Sequence, residues 1–453
     1  MGQSGYLTLV NSTDTAWRKT YQHSYQMNIW DFPNVIAAQT SISVYIEWNQ
    51  HFFNDSSDDA GEVVYSLEGT SDFFEIQASA TSGFDIKVYF ANLKIYSNQN
   101  EALFSLGWQR KGYVSFILSG MQGKYSSTNL NGSSWMQDNI SILGTKELSE
   151  ICMLGARHAG MNVRTSNTFG ASDCNVITQT RNIREQLQLG VRYLDIQPVL
   201  RNGDFFTGNY HKIEAISMWR GATGQSIDHV IEDVNTFIAV RKELVIIKLS
   251  NSLHTYTDNG NYRAFNKSEW NSLLKKMSGI NYLYCSLPTI DLAVKTVHDF
   301  ISERPAVFIL VEGVNNLGSF DGKGFFKESC FNMYKKQSNT NNTLKMAIDQ
   351  LQSMRAYKDE YFLLSWIVKQ NAVQAAMCFL EVASGIKKLA NKANQQLPNL
   401  MYSKITHSTF PNMIILDNIL TSEAAAFAMA INWKIHTVKK TNDTFNNVEK
   451  ITN

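Results

Sequence analysis

The sequence predicts an N-terminal all-β sandwich followed by an α/β barrel of the (β/α) TIM type. Three observations carry this expectation. Residues 6–120 contain short stretches in which apolar and polar residues alternate, separated by turn residues at roughly the 8–12-residue spacing of a sandwich. From about residue 140 the pattern changes to β-branched apolar runs alternating with stretches at helical spacing, the signature of a parallel sheet. The 453 residues also exceed one typical domain of roughly 100–200 residues. The expected organisation is a sandwich over 1–120, a linker over 121–139 and a barrel over 140–453.

In the first domain "TSISVYIEW" places Ile42, Val44, Ile46 and Trp48 on one face of a half-buried strand. "GEVVYSLEG", "FFEIQASA", "FDIKVYFANLKIY" and "GYVSFILSG" repeat the pattern. Trp17, Tyr21, Tyr25, Trp30 and Phe32 read as core and rim packing of the sandwich rather than as a ligand platform. The stretch "MQGKYSSTNLNGSSWMQDN" is rich in Ser, Asn and Gly without periodicity and reads as the linker.

In the second domain "GVRYLDIQPVL", "ELVIIKLS", "PAVFILVEG", "YFLLSWIVKQ" and "NMIILDNI" read as buried strands. "SIDHVIEDVNTFIAVRK" sets Ile227, Val230, Ile231, Val234 and Ile238 at helical spacing, and 342–357, 371–396 and 421–435 read as further helices. In such barrels functional residues sit at the carboxyl ends of the strands, so the residues after each run are the candidates.

Composition narrows the function classes. Lys plus Arg number 41 against 40 Asp plus Glu, so no long-range field draws the chain to nucleic acid or an anionic membrane. With only 18% charged residues, little repulsion keeps copies apart, and self-association is a candidate property. No secretory signal and no membrane-spanning run are evident, "SEAAAFAMAINW" being too short, so an intracellular, cytoplasmic location is expected. The five cysteines, Cys152, Cys174, Cys285, Cys330 and Cys378, show no metal-ligand spacing and read as reduced, mostly buried thiols without disulfides or zinc. Asn-x-Ser/Thr triplets at Asn11, Asn54, Asn131 and Asn139 read as by-products of an Asn-rich composition.

Several ordered motifs then converge. "WMQDNISILGTKELSEICMLGARHAGMN", "TQTRNIREQLQLGVRYLDIQPVL", "GDFFTGNYH", "GATGQSIDHVIEDVNTFI" and "PNMIILDNI" resemble the X-domain of phosphatidylinositol-specific phospholipase C in its small, metal-independent form. More narrowly, the chain is similar to fungal phospholipase C-like phosphodiesterases, in which a β-sandwich carrying a segment like "YQHSYQMN…WDFP" precedes the barrel. The resemblance covers essentially the whole chain and implies a fold of the phospholipase C-like phosphodiesterase kind, with neither metal nor organic cofactor.

It also implies a chemistry. One His takes the proton of the inositol 2-hydroxyl, which attacks the phosphorus; a second His protonates the leaving alkoxide; an Arg neutralises the phosphate. Each position is replaced here. The first family motif falls on Leu154-Gly155-Ala156-Arg157-His158-Ala159-Gly160-Met161, which places Arg157 where the resemblance puts the base and His158 where it puts an Asp. The second falls on Arg192 to Pro198, keeping Asp195 but setting Gln197 at the phosphate-binding Arg. The third falls on Thr207-Gly208-Asn209-Tyr210, with Asn209 at the acid, and the Asp that supports the first His matches Asp417.

Arginine stays protonated and asparagine does not titrate, so neither moves a proton at neutral pH. On this alignment the barrel is a degraded site and the chain a non-catalytic binding, structural or self-assembling protein. Two alternatives stay open. His158, brought inward by a one-residue shift at Gly155, and His211, two residues past Asn209, would serve an active phosphodiesterase acting on phosphatidylinositol or a related glycosyl phosphodiester. Arg157, aided by Lys248, would instead bind a phosphoinositide or sugar-phosphate head group without cleaving it. Glu312, Ser365, Trp366 and Lys369 are further strand-end candidates, each with an ordinary structural reading beside it.

Overall fold

The computed structural model of the chain describes residues 3–50, 55–90, 93, 103–213, 218–255, 262–378 and 385–449. Two compact units emerge. One comprises 1–131, 394–410 and 422–453, and the other 132–393 and 411–421. The boundary expected at 139/140 thus falls eight residues earlier, at 131/132, and two C-terminal segments placed with the barrel belong to the first unit.

The first unit contains strands β1 (Gln3–Thr13), β2 (Trp17–Tyr25), β3 (Ile29–Trp30), β4 (Val35–Ile36), β5 (Thr40–Trp48), β6 (Ala60–Leu67), β7 (Phe73–Ser79), β8 (Asp85–Tyr89), β9 (Leu103–Gly107), β10 (Tyr113–Gly120) and β11 (Ser126–Ser127). They form a five-stranded sheet ordered β11-β10-β1-β5-β3 and a six-stranded sheet ordered β4-β2-β6-β7-β8-β9. All pairs are antiparallel except β1 with β10. Ile42 at the start of β5 is exposed, while the alternation is realised over Val44, Ile46 and Trp48, which are buried. These join Leu7, Trp17, Tyr65, Phe74 and Phe116 in one apolar cluster fed by both sheets. Of the named aromatics, Trp17, Trp30 and Phe32 lie in this core, while Tyr21 and Tyr25 are exposed. The stretch "FDIKVYFANLKIY" holds β8; its residues 91–92 and 94–96 lie outside the described residues, as does Asn54.

Two expectations fail here, the first because its apolar residues are hidden among polar neighbours and the second because placement in a unit is decided by long-range packing. The stretch 121–139 is packed structure: Tyr125, Leu130, Trp135 and Met136 are buried, β11 extends the first sheet, and a helix covers Trp135–Asp138. The helix at 421–435 exists as Glu423–Glu449 but packs in the first unit, where Ser12 donates to the Ala430 carbonyl at 2.7 Å. Its Ala425 to Ile431 are buried on all sides, as befits a helix whose small side chains permit close approach.

The second unit adds β12 (Met153–Ala156), β13 (Ser166–Asn167), β14 (Val191–Arg201), β15 (Asp204–Ile213), β16 (Met218–Ser226), β17 (Leu244–Leu249), β18 (Leu253–His254), β19 (Ala306–Val311), β20 (Phe325–Lys327), β21 (Tyr334–Lys335), β22 (Phe362–Trp366) and β23 (Met413–Leu416). A parallel path runs β20-β19-β17-β14-β12-β23-β22-β21, and the ends of β14 to β16 with β13 form an antiparallel extension. Helices at Ile227–Ile238, Lys267–Met277 and Thr343–Ala356 separate the strands. The helix expected over 371–396 is split into Ala372–Met377 and Ile386–Asn394, with 379–384 outside the described residues.

The expected TIM-type closure is not present among the described strands. β20 and β21 end the path unpaired with each other, because strands of three and two residues offer little ladder to join. Side chains bridge this gap instead: Glu328, between β20 and β21, accepts from both Lys248 on β17 and Lys335 on β21. Parallel pairing puts the carboxyl ends of β12, β14, β17, β19, β22 and β23 on one side, and the candidate residues follow or end these strands.

Candidate functional site

At that side of the second unit lies a cavity of about 890 Å³. Arg157, His158, Gln197, Asn209, His211, Glu312 and Lys369 line it, so residues more than 200 positions apart in sequence meet in one wall.

Arg157 begins a turn after β12 and is locked in place. Its backbone N–H donates to the Leu416 carbonyl at 3.0 Å, and its guanidinium grips Asp417 through Nε to Oδ1 at 2.9 Å and Nη2 to Oδ2 at 2.6 Å. Asp417 is 2% exposed. Burial raises its pKa, and the facing guanidinium opposes that shift.

Strand alternation would aim His158 away from Arg157, yet both face the cavity. β12 ends at Ala156, and residues 157–160 form a turn in which His158 takes a left-handed backbone (φ 43°). The turn is fixed from outside by Ala159 N–H to the Asp195 carbonyl at 2.9 Å and by Gly160 against Thr207, whose side chain a Cβ at Gly160 would meet at 2.4 Å. The register of β12 on β14 also shifts between Leu154 and Gly155. Burial, then the Arg157 charge, push the His158 pKa down to about 3, a hydrogen bond with the Gly208 backbone only partly offsetting them. Its Nδ1 is buried without a hydrogen-bond partner among the described residues.

His211 is exposed, and its pKa is lowered by partial desolvation in the concave wall and then by the charges of Arg220 and Lys369. Both imidazoles are therefore shifted toward the neutral form, His158 strongly enough to make it a weak base. Asn209 is tied to the Val176 carbonyl at 2.9 Å. Gln197 spends its amide on the backbone: Nε2 donates to the carbonyls of Asn251 (3.0 Å) and Tyr210 (3.3 Å), and Oε1 accepts from Tyr210 N–H at 2.7 Å. Asp195 accepts from Ser250 Oγ at 3.0 Å; burial raises its pKa, with Lys248 the main opposing charge.

Lys248 does not serve the cavity, which corrects its assignment as a phosphate ligand. Its ammonium pairs with Glu328 and, at 3.1 Å, with Glu312, and these acids hold its pKa up against the lowering effect of burial. Glu312 both lines the cavity and makes that pair. Ser365 and Trp366 are packing residues: Ser365 N–H donates to Gln350, and Trp366 Nε1 donates to the Ala393 carbonyl at 3.0 Å. Among the described residues no group of three or more His, Cys, Asp or Glu is placed to hold a metal.

The expectation of five reduced thiols is corrected. Cys174 and Cys378 form a disulfide, while Cys152 and Cys330 are buried thiols outside any disulfide and Cys285 is exposed. A sequence separation of 204 hides such a pairing, because only the fold brings the two segments together. The disulfide joins two parts of the cavity wall, Asn175 on one side and Gln370 and Ala375 on the other.

Sequence reasoning missed Trp219, Arg220, Phe265 and Trp270, which also line the cavity. The hairpin β15-β16 carries the first two, and its register sets Arg220 directly opposite His211. The available signal was the strand-like "MWRGATGQS" after the "TGNYH" motif.

Comparison with known proteins adds little beyond the fold. No protein-family model and no curated protein matches the chain. Among solved structures, the phosphatidylinositol-specific phospholipase C of Listeria monocytogenes is 18% identical, covering 66% of this chain and 99% of that chain with a TM-score of 0.44. Two structures of the Staphylococcus aureus enzyme of that name, both concerned with modulation of its membrane binding, are 11% identical and cover 67% of this chain and 98% of theirs, with TM-scores of 0.46 and 0.44. Likeness at this level carries no functional argument, and the side chains of the cavity must supply one. No helix among the described residues is long and apolar enough to cross a membrane.

Proposed function

We propose that this chain is a phospholipase C-like pseudoenzyme, a (β/α) barrel preceded by a β-sandwich, whose cavity binds a phosphate-bearing polyol without cleaving it. The Arg157–Asp417 pair is the observation that carries the reading. Where the resemblance places a proton-accepting His held by an Asp, a fixed cation is held by that Asp instead. The nearest imidazole, His158, has a pKa near 3, about four units below an operating pH of about 7, which makes it a poor general base. Gln197 and Asn209, at the other two expected positions, are committed to backbone carbonyls.

Binding is supported by the charge of the wall. Among the described residues, Arg157, Lys212, Arg220 and Lys369 line the cavity against a single carboxylate, Glu312, that is itself paired with Lys248. Such a wall favours anions, and Trp219 and Trp270 add flat apolar faces suited to a sugar or cyclitol ring.

The test is turnover. The full chain incubated with phosphatidylinositol in mixed micelles, and separately with inositol 1,2-cyclic phosphate, should release no more product by phosphorus NMR than buffer does. Product formation that disappears in His211→Ala or His158→Ala would replace this reading with an active phosphodiesterase.

A further inference from the structure

The cations of the cavity are not equivalent. Arg157 is spent on Asp417, and Gln197, where the resemblance places the phosphate-binding Arg, is spent on the backbone of Tyr210 and Asn251. Among the described residues, the floor therefore has no uncommitted positive charge to offer a phosphate.

The mouth does. His211 and Arg220 are direct partners in the antiparallel β15-β16 ladder, so their side chains share one face about 5 Å apart at Cβ. Arg220 makes no ion pair among the described residues, and its Nε is buried without a hydrogen-bond partner there. Lys369, just past β22, meets the neutral Asn339 Oδ1 at 2.6 Å and no carboxylate among the described residues. It faces the same space, since its charge and that of Arg220 both act on His211. A buried guanidinium nitrogen without an acceptor is a costly arrangement unless a ligand supplies one.

We propose that the ligand is a sugar or polyol phosphomonoester whose phosphate sits at the cavity mouth between Arg220 and Lys369, beside His211, with the polyol directed inward past Asn209 and Gln197. A phosphomonoester carries a charge of about −1.5 to −2 at neutral pH, which two unspent cations match, whereas a lipid phosphodiester carries one. This orientation puts the phosphate away from the place where the resemblance puts the acid and base. The inference rests on the reading of the cavity as a phosphate-bearing polyol site and adds the ligand's pose and class.

Isothermal titration calorimetry on the full chain with myo-inositol 1-phosphate, myo-inositol and inorganic phosphate tests it. Inositol 1-phosphate should bind more tightly than either fragment, and Arg220→Gln and Lys369→Gln should each weaken it at least about ten-fold, the loss of one charge-assisted contact, without weakening myo-inositol. Thermal melting checks the fold of each variant, and Lys369 is exposed, so its variant remains informative if Arg220→Gln misfolds. Undiminished binding by folded variants overturns the pose and leaves the cavity reading standing; binding of neither the monoester nor phosphatidylinositol vesicles by the wild type overturns both. Sedimentation with phosphatidylcholine vesicles, with and without phosphatidylinositol, separates the sources of phosphate: uptake by the phosphatidylinositol vesicles without binding of the soluble monoester overturns the assignment to a monoester.

Discussion

Arg157 and Asp417 stand 260 residues apart in sequence and form a two-pronged ion pair, Nε to Oδ1 at 2.9 Å and Nη2 to Oδ2 at 2.6 Å. β12 and β23 are parallel neighbours with Ala156 opposite Leu416, so the residues that follow each strand are brought side by side. The pair holds a fixed positive charge in the cavity wall.

Arg157→Ala leaves the Asp417 carboxylate buried without its counter-charge, and burial alone then drives it to take up a proton. Removing one partner of such a pair costs about 3–5 kcal/mol, read as a lower urea midpoint. Adding Asp417→Asn should recover much of the loss; equal stability of wild type and single variant would show that the pair contributes nothing.

His158 makes stability depend on pH with a definite sign. Its pKa falls from 6.5 to about 3 on folding, so below pH 6.5 the unfolded chain binds a proton that the folded chain refuses. This contribution is complete above pH 6.5 and is lost as pH falls toward 3, with a slope of at most about 1.4 kcal/mol per pH unit. His158→Gln should flatten the difference between melting at pH 7 and at pH 5; an unchanged difference would mean that the ring is protonated in the folded chain.

Arg192 and Glu243 are both fully buried and paired at 2.7 Å, and Glu243 also accepts the amides of Met136 and Gln137. Glu243→Ala should therefore destabilise by about 3–5 kcal/mol, comparable with Arg157→Ala, although it touches no cavity residue. Calorimetric melting with binding measured in parallel distinguishes the two: near-normal affinity of the folded fraction is expected for Glu243→Ala.

Cys378→Ser removes the link to Cys174, worth about 2–4 kcal/mol for a disulfide closing a long loop. Because the link fastens Gln370 and Ala375 to the wall that carries Asn175, affinity for inositol 1-phosphate should fall together with the melting temperature. An excess of dithiothreitol should reproduce both effects in the wild type and neither in the variant.

Much of the local structure was readable from residue order. Strands over "ELVIIKLS" and "PAVFILVEG" appear as Leu244–Leu249 and Ala306–Val311, because an apolar β-branched run suits a strand buried on both faces. Of the residues singled out through the motifs that surround them, Gln197 and Asn209 line the cavity and Asp417 pairs with Arg157. Lys248 was misjudged because a strand-end lysine looks alike in sequence whether it faces the cavity or two acids, and those acids, Glu312 and Glu328, come 64 and 80 residues later. Arg220 was invisible for the complementary reason: no motif marks it, and only the β15-β16 register sets it opposite His211.

Sequence periodicity located most of the stretches that extend and that coil, since that choice depends on neighbours within a few residues. The direction of side chains needed the whole fold. One left-handed residue at His158 cancels the alternation expected of a strand and turns it into the cavity beside Arg157. Which charges are spent and which remain for a ligand likewise depends on partners far along the chain, because the energy of a buried charge is set by what lies within a few ångströms and not by what precedes it in sequence.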